Sequence, residues 1–134
     1  MSEVTTQMSA RQGAELALQV LGGQWVVAVL TALAPGELSF THLLTAINSV
    51  DEYVGRRTHH AALSRQVLSP TLDRMAKHGL LVRIERRPRS VSYQLTVSGH
   101  TLLHAVQALA AWAQEHHQVT DDDAAGDLDE EVGR

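Results

Sequence analysis

The chain has no cysteine among its 134 residues. Disulfides, thiolate metal centres and thiol-based redox switches are therefore excluded. Aromatic residues are nearly as scarce, with only Trp25, Phe40, Tyr53, Tyr93 and Trp112 present. The core must be aliphatic, and each Trp is either a core or interface anchor or part of a ligand site. No apolar run approaches the ~18 residues of a membrane span. The opening "MSEVTTQMSARQ" lacks the basic-then-apolar layout of a signal peptide. A cytoplasmic protein with no membrane partner is expected. There is no glycine-rich phosphate loop, no nucleophile elbow, no HExxH and no carboxylate pair in the part expected to be ordered, so no enzyme is expected. Eight histidines are present. His100 and His104 stand at i, i+4, and His59-His60 and His116-His117 are pairs, but no third ligand comes at a telling spacing. No metal and no cofactor are expected.

What is present is a sharp asymmetry of charge. The formal net charge is −4, yet nine of the eleven Lys and Arg residues lie between Arg56 and Arg89, opposed there only by Asp73 and Glu85. Four of them, Arg83, Arg86, Arg87 and Arg89, fall in the short stretch "RIERRPRSVSY". The segment from Glu115 to Arg134 holds eight carboxylates against one arginine. A basic middle beside an acidic tail points to a polyanionic partner for the middle, with a merely solvated charged face as the plain alternative. From Val119 onward large apolar residues are almost absent, so 1–118 is read as one domain and 119–134 as a disordered acidic tail.

The periodicities give an order of elements. Ala14, Ala17, Leu18 and Leu21 predict an amphipathic helix ended by Gly22-Gly23. Trp25, Val26, Val29, Leu30 and Leu33 predict a second, stopped by Pro35-Gly36. A short extended piece at Glu37-Leu38 precedes a helix capped by Ser39, with the stripe Phe40, Leu43, Leu44, Ile47. Asn48 to His60 has weak periodicity and is read as a loop with at most a short helical turn. The next helix carries Leu68, Leu72 and Met75 and ends at Gly79. Ser64 can cap it, which leaves Pro70 at the sixth helical position. Alternatively Ser69 caps and Pro70 opens the helix. Leu81–Arg86 and Ser90–Leu95 read as strands joined at Pro88-Arg89, a β-hairpin with arginines at its tip. Thr96 then caps a long helix bearing Leu102, Leu103, Val106, Leu109, Ala110 and Ala113.

A helix pair feeding a basic hairpin is the layout of a winged helix-turn-helix. The expected fold class is α+β, mostly α, with long N- and C-terminal dimerisation helices. Such a helix fits a major groove about 12 Å wide, while hairpin arginines meet flanking phosphates or the minor groove. The residues also resemble a family. "LGGQW" followed by "VVAVLTALAPGELSFTHLLTAI", then "SRQVLSPTLDRMAKHGLL", then "VSYQLTVSGHTLLHAVQALAAW" look like the HxlR family of bacterial transcription regulators, over roughly Leu16 to Trp112. The resemblance implies DNA binding by a homodimer joined through its first and last helices. Three departures stand out. The family's typical N-terminal cysteine is missing, the Lys of its Gly-Gly-Lys-Trp element is Gln24, and the segment between Ile47 and Ser64 is longer than the family pattern.

The expected function is a DNA-binding transcriptional repressor that takes a pseudo-palindromic operator as a homodimer. One alternative is a one-component sensor released by a small-molecule effector, and another is a protein–protein adaptor that uses the fold without DNA. The candidate double-stranded DNA contacts are Arg56, Arg57, Arg65, Gln66, Ser69, Thr71, Arg74, Lys77, Arg86, Arg87, Arg89 and Ser90. Candidate effector contacts are Trp25, Tyr53, His59, His60 and Trp112.

Overall fold

The computed structural model describes residues 7–23, 25–54 and 62–117. The chain runs α1 (Ala10–Leu21), α2 (Val26–Ala32), β1 (Leu38–Ser39), α3 (Phe40–Val54), α4 (Arg65–Lys77), β2 (Leu81–Arg87), β3 (Ser90–Leu95) and α5 (Val97–His116). The strands form one antiparallel sheet in the order β1-β3-β2. Gln24, the segment containing Arg56, Arg57, His59 and His60, and the acidic tail lie outside the described residues.

The helices begin and end where local chemistry satisfies their orphan amides. At α1 the Ser9 hydroxyl accepts from the Gln12 amide while the Gln12 side chain accepts from Ser9 N–H, a reciprocal box. Ser39 caps α3 through the His42 amide at 3.1 Å, and Ser64 caps α4 through the Val67 amide at 3.2 Å. The longer α4 is thus the one formed, with Pro70 inside it. Starting there puts Leu68, Leu72 and Met75 on one buried face, which outweighs the single backbone bond the proline forfeits. The helix closes with Leu80 N–H on the Met75 carbonyl and Gly79 N–H on that of Ala76. Gly79 sits at φ +77°, the left-handed conformation this closure needs.

One expectation is corrected here. The helix α3 does not stop near Ile47 but continues to Val54. The stretch after Ile47 lacks an apolar stripe, yet nothing in it breaks a helix before Gly55, and propagation adds a hydrogen bond for each residue fixed. Asn48 ties α3 to the start of α4. Its side chain accepts from Leu63 N–H at 2.8 Å and donates to the Leu63 carbonyl at 3.0 Å. The residue just before the α4 cap is thereby held against α3.

The core is aliphatic, as the scarcity of aromatics requires. Val29, Leu30 and Leu33 of α2 and its C-terminal end, Leu43 of α3, Leu68, Leu72 and Met75 of α4 and Leu81 of β2 are almost completely buried. The C-terminal helix is keyed onto this core at its first turn. Thr96 N–H donates to the Leu80 carbonyl at 3.0 Å. The Thr96 hydroxyl donates to the Gly79 carbonyl at 2.6 Å and accepts from Gly99 N–H at 3.0 Å. By contrast α1 has no buried residue. Its Leu18 is 61% exposed, and Leu109 and Trp112 of α5 are more than half exposed. The apolar stripes expected on the first and last helices are only partly used within one chain.

Candidate nucleic-acid interface

The face of α4 opposite the core presents Arg65, Gln66, Val67, Ser69, Pro70, Asp73, Arg74 and Lys77 to solvent. Beside it stands the hairpin. A polar cleft of about 590 Å³ lies between the two, lined by Arg65, Ser69 and Asp73 from α4 and by Arg83, Arg89 and Ser90 from the hairpin, with Ser39 and Thr41 from the start of α3. Three arginines and five hydroxyl-bearing residues, Tyr93 among them, therefore line the cleft against one carboxylate residue. That donor set suits an anion with several oxygens, such as a phosphodiester. The Arg65 guanidinium lies over the Phe40 ring at 5.2 Å, a cation–π contact that holds the first side chain of α4 at the cleft.

The hairpin tip is a two-residue turn, Pro88-Arg89, with Arg89 at φ +74°. Proline followed by a residue of positive φ is the pattern of a type II turn. Arg89 is the sole non-glycine residue with positive φ among those described, so the tip holds an arginine where a glycine would be less strained. Among the described residues, Arg65, Arg74, Lys77, Arg87 and Arg89 form no ion pair. Arg83 reaches Glu85 only at 3.8 Å, between exposed side chains.

Arg86 is different. Its Nε donates to Glu37 Oε2 at 2.8 Å and its Nη2 to Oε1 at 2.5 Å. Hydrogen bonding from Arg86 holds the Glu37 carboxyl below its ordinary range, with help from the Ser92 hydroxyl and the guanidinium charge. The same bond raises the Arg86 pKa.

The other predicted positions are distributed unevenly. Arg65, Ser69, Arg89 and Ser90 come together at the cleft, while Gln66, Arg74 and Lys77 share the exposed face of α4. The Arg74 guanidinium reaches toward the α1–α2 connection, where a β-carbon on Gly23 would stand 3.4 Å from its Nη2. Thr71 is a correction. It is 2% exposed, and its hydroxyl donates to the Val67 carbonyl at 2.9 Å, so it belongs to the core face and offers nothing to a partner. The two tryptophans are not equivalent either. Trp25 is buried at the start of α2, whereas Trp112 is exposed and stacks on His116 at 5.4 Å between centroids. Tyr53 falls in the last turn of α3. Among the described residues no three His, Asp or Glu side chains converge as a metal site would need.

Ser39, Thr41 and Arg83, which line the cleft, and Glu37, which pairs with Arg86, are not among the candidate contacts read from the sequence. For the first three a signal is present, since hydroxyls flank Phe40 at a helix start and Arg83 belongs to the basic run. For Glu37 there is none.

Solved structures share this arrangement. A transcriptional regulator assigned to the MarR family from Enterococcus faecalis V583 superposes with a TM-score of 0.68 at 23% identity, over 85% of this chain and 94% of that one. The reduced form of the transcriptional regulator YodB from B. subtilis gives 0.61 at 21% identity, over 85% and 99%. The redox regulator HypR in its oxidized form gives 0.59 at 21% identity, over 77% and 95%. No curated protein sequence matches the chain. Among the described residues no single helix is long and apolar enough to cross a membrane. The sequence pattern of the HxlR-like helix-turn-helix family matches residues 20–121, which bears out the resemblance read from "LGGQW", "SRQVLSPTLDRMAKHGLL" and "VSYQLTVSGHTLLHAVQALAAW". The chain belongs to the HxlR-like helix-turn-helix family, a family of transcriptional regulators.

Proposed function

We propose that the protein binds a pseudo-palindromic operator in duplex DNA as a homodimer and represses transcription by occupying it. The observation that carries this reading is the cleft between α4 and the hairpin, where Arg65, Arg83 and Arg89 converge with hydroxyl donors. In this reading α4 enters the major groove, with Arg65 and Gln66 in its first turn nearest the base edges. Bidentate contacts from Arg and Gln suit guanine and adenine respectively. A phosphate of the flanking backbone occupies the cleft, and Arg87 and Arg89 of the hairpin track the strand. Two copies join through the apolar surface left open on α1 and α5, which includes Leu16, Leu18, Leu109 and Trp112, with Met8 just before α1. Two half-sites one helical turn apart then multiply specificity.

The strained tip supplies a test that separates stability from binding. Arg89→Gly relieves the positive φ and removes one cation. It is expected to stabilise the fold by about 1 kcal/mol. It is also expected to lower the slope of log affinity against log salt by about 0.9 for the lost phosphate contact. A wild-type protein whose duplex binding shows no steep salt dependence would instead favour a protein–protein adaptor.

A second reading, a one-component sensor, is supported by an apolar groove of about 530 Å³ between α1 and α5. Leu16, Val20, Leu102 and Ala105 line it together with His78 and Leu80, the residues that close α4. A small apolar effector there would press on the end of the recognition helix. Neither Trp25 nor Trp112 lines that groove. Effector-dependent release of operator DNA, lost in Val20→Trp, is the outcome that reading requires.

A further inference from the structure

Four arginines lie within the seven positions from Arg83 to Arg89, and on the sequence they are interchangeable. In the fold they are not. Glu85 pairs with Val91 and Arg87 with Ser90, which leaves Arg86 as the extra residue of a β-bulge. A bulge turns one side chain away from the direction the ladder would give it. Here it sends the Arg86 guanidinium to Glu37, the residue before β1, on the far side of β3. Both carboxylate oxygens are engaged, the bidentate arrangement that combines strength with directional precision. Between the two residues lies Ser92 of β3, paired with Ser39 of β1 and Ile84 of β2. The link therefore spans all three strands and ends at the start of α3.

We infer that Arg86 is a wing-positioning residue and not a phosphate contact: through Glu37 it ties the bulged strand to β1 and α3 and so sets where Arg87 and Arg89 stand relative to α4. The functional half of this inference rests on the DNA-binding reading. A phosphate that recruited Arg86 would have to displace a carboxylate already held by two bonds, and would leave that carboxylate unpaired next to another anion. Arg87 and Arg89 carry no such competitor among the described residues. The bulge thus divides the arginines into one that braces the wing and others left to meet the backbone.

The test uses the full chain and two readouts. Hydrogen exchange of the hairpin amides, Leu81 to Leu95, is measured without DNA in Arg86→Ala, in Glu37→Gln and in the charge-reversed pair Glu37→Arg with Arg86→Glu. A brace requires both single variants to speed exchange about twofold or more, within the range an exposed ion pair can supply, and the reversed pair to restore protection. The salt dependence of operator binding is then compared between wild type and the reversed pair. A brace keeps the wild-type slope, because net charge and wing position are both preserved. A phosphate contact predicts a slope shallower by about 0.9 that the reversal does not recover. Unchanged exchange in the single variants, or a reversed pair that fails to recover the slope, overturns the inference. If the wild-type protein shows no salt-dependent duplex binding, the DNA reading falls, and the exchange measurement alone decides whether Arg86 braces the hairpin.

Discussion

Gly99→Ala is a one-carbon change with a large expected effect. Gly99 lies in the first turn of α5, against the β2 end of the core, and is buried. A β-carbon built on it would stand 2.1 Å from the Leu80 carbonyl oxygen and 3.2 Å from Leu95 Cδ2. Carbon and oxygen do not approach so closely, so helix and strand must separate by roughly 1 Å. The nearest obstacle is backbone, which cannot swing aside as a side-chain end can. The same Leu80 carbonyl accepts the Thr96 amide at 3.0 Å, and the Thr96 hydroxyl holds Gly79 at 2.6 Å, so the shift disturbs the bonds that dock α5. Overpacking alone costs about 1–3 kcal/mol, and losing one of those hydrogen bonds adds about 1 kcal/mol. The total, about 2–4 kcal/mol, corresponds to a fall in Tm of roughly 7–14 °C in a chain of this size. Urea unfolding is the assay, read as a lower midpoint with an unchanged slope. A midpoint within error of wild type would refute the reasoning, because it would mean that α5 does not rest on Leu80 as the structure places it.

Asn48→Ala removes both bonds to Leu63 and is expected to destabilise by about 1–3 kcal/mol. Asn48→Asp, which keeps an acceptor for Leu63 N–H, is expected to cost less, and equal losses in urea titration would speak against the clamp. Arg65→Ala or Gln66→Ala is expected to cost about 1–3 kcal/mol on the operator and little on random duplex; equal losses in paired binding titrations would demote them to phosphate contacts. Acidification tests the Glu37–Arg86 pair. The folded-state pKa of Glu37 lies below its ordinary value of 4.5, so the pair's contribution is present above that value and is lost as pH falls through the lower folded one. Hairpin amide protection should therefore fall below the ordinary carboxylate range in wild type and not in Glu37→Gln.

The fold is largely legible because its elements announce themselves locally. Ser39, Ser64 and Thr96 each precede an apolar stripe at helical spacing, and each accepts the amide three residues on. Pro88-Arg89 between two alternating runs marks the hairpin. The choice between Ser64 and Ser69 cannot be made locally, because both suit a cap. It is decided by burial of Leu68, which only the earlier start brings onto the core face with Leu72 and Met75. The length of α3 escapes for the opposite reason. Beyond Ile47 the helix no longer shows an apolar stripe, and the absence of a breaker before Gly55 permits a helix without marking one.

The site is less legible than the fold, and the reason is distance along the chain. Charge points to the middle of the chain, where Arg65, Arg83 and Arg89 line one cleft. It cannot say which cations are free. Glu37 and Arg86 are 49 positions apart, and nothing near either residue signals the other; only the β1-β3-β2 order and the bulge at Arg86 bring them together. Thr71 shows a related limit. A threonine counts as polar in any helical pattern, yet its hydroxyl can be satisfied by the carbonyl four residues earlier, which lets the methyl face the core. Side-chain polarity therefore predicts exposure only where the helix backbone cannot supply the partner. Formal charge predicts an available cation only where the fold brings no carboxylate to meet it.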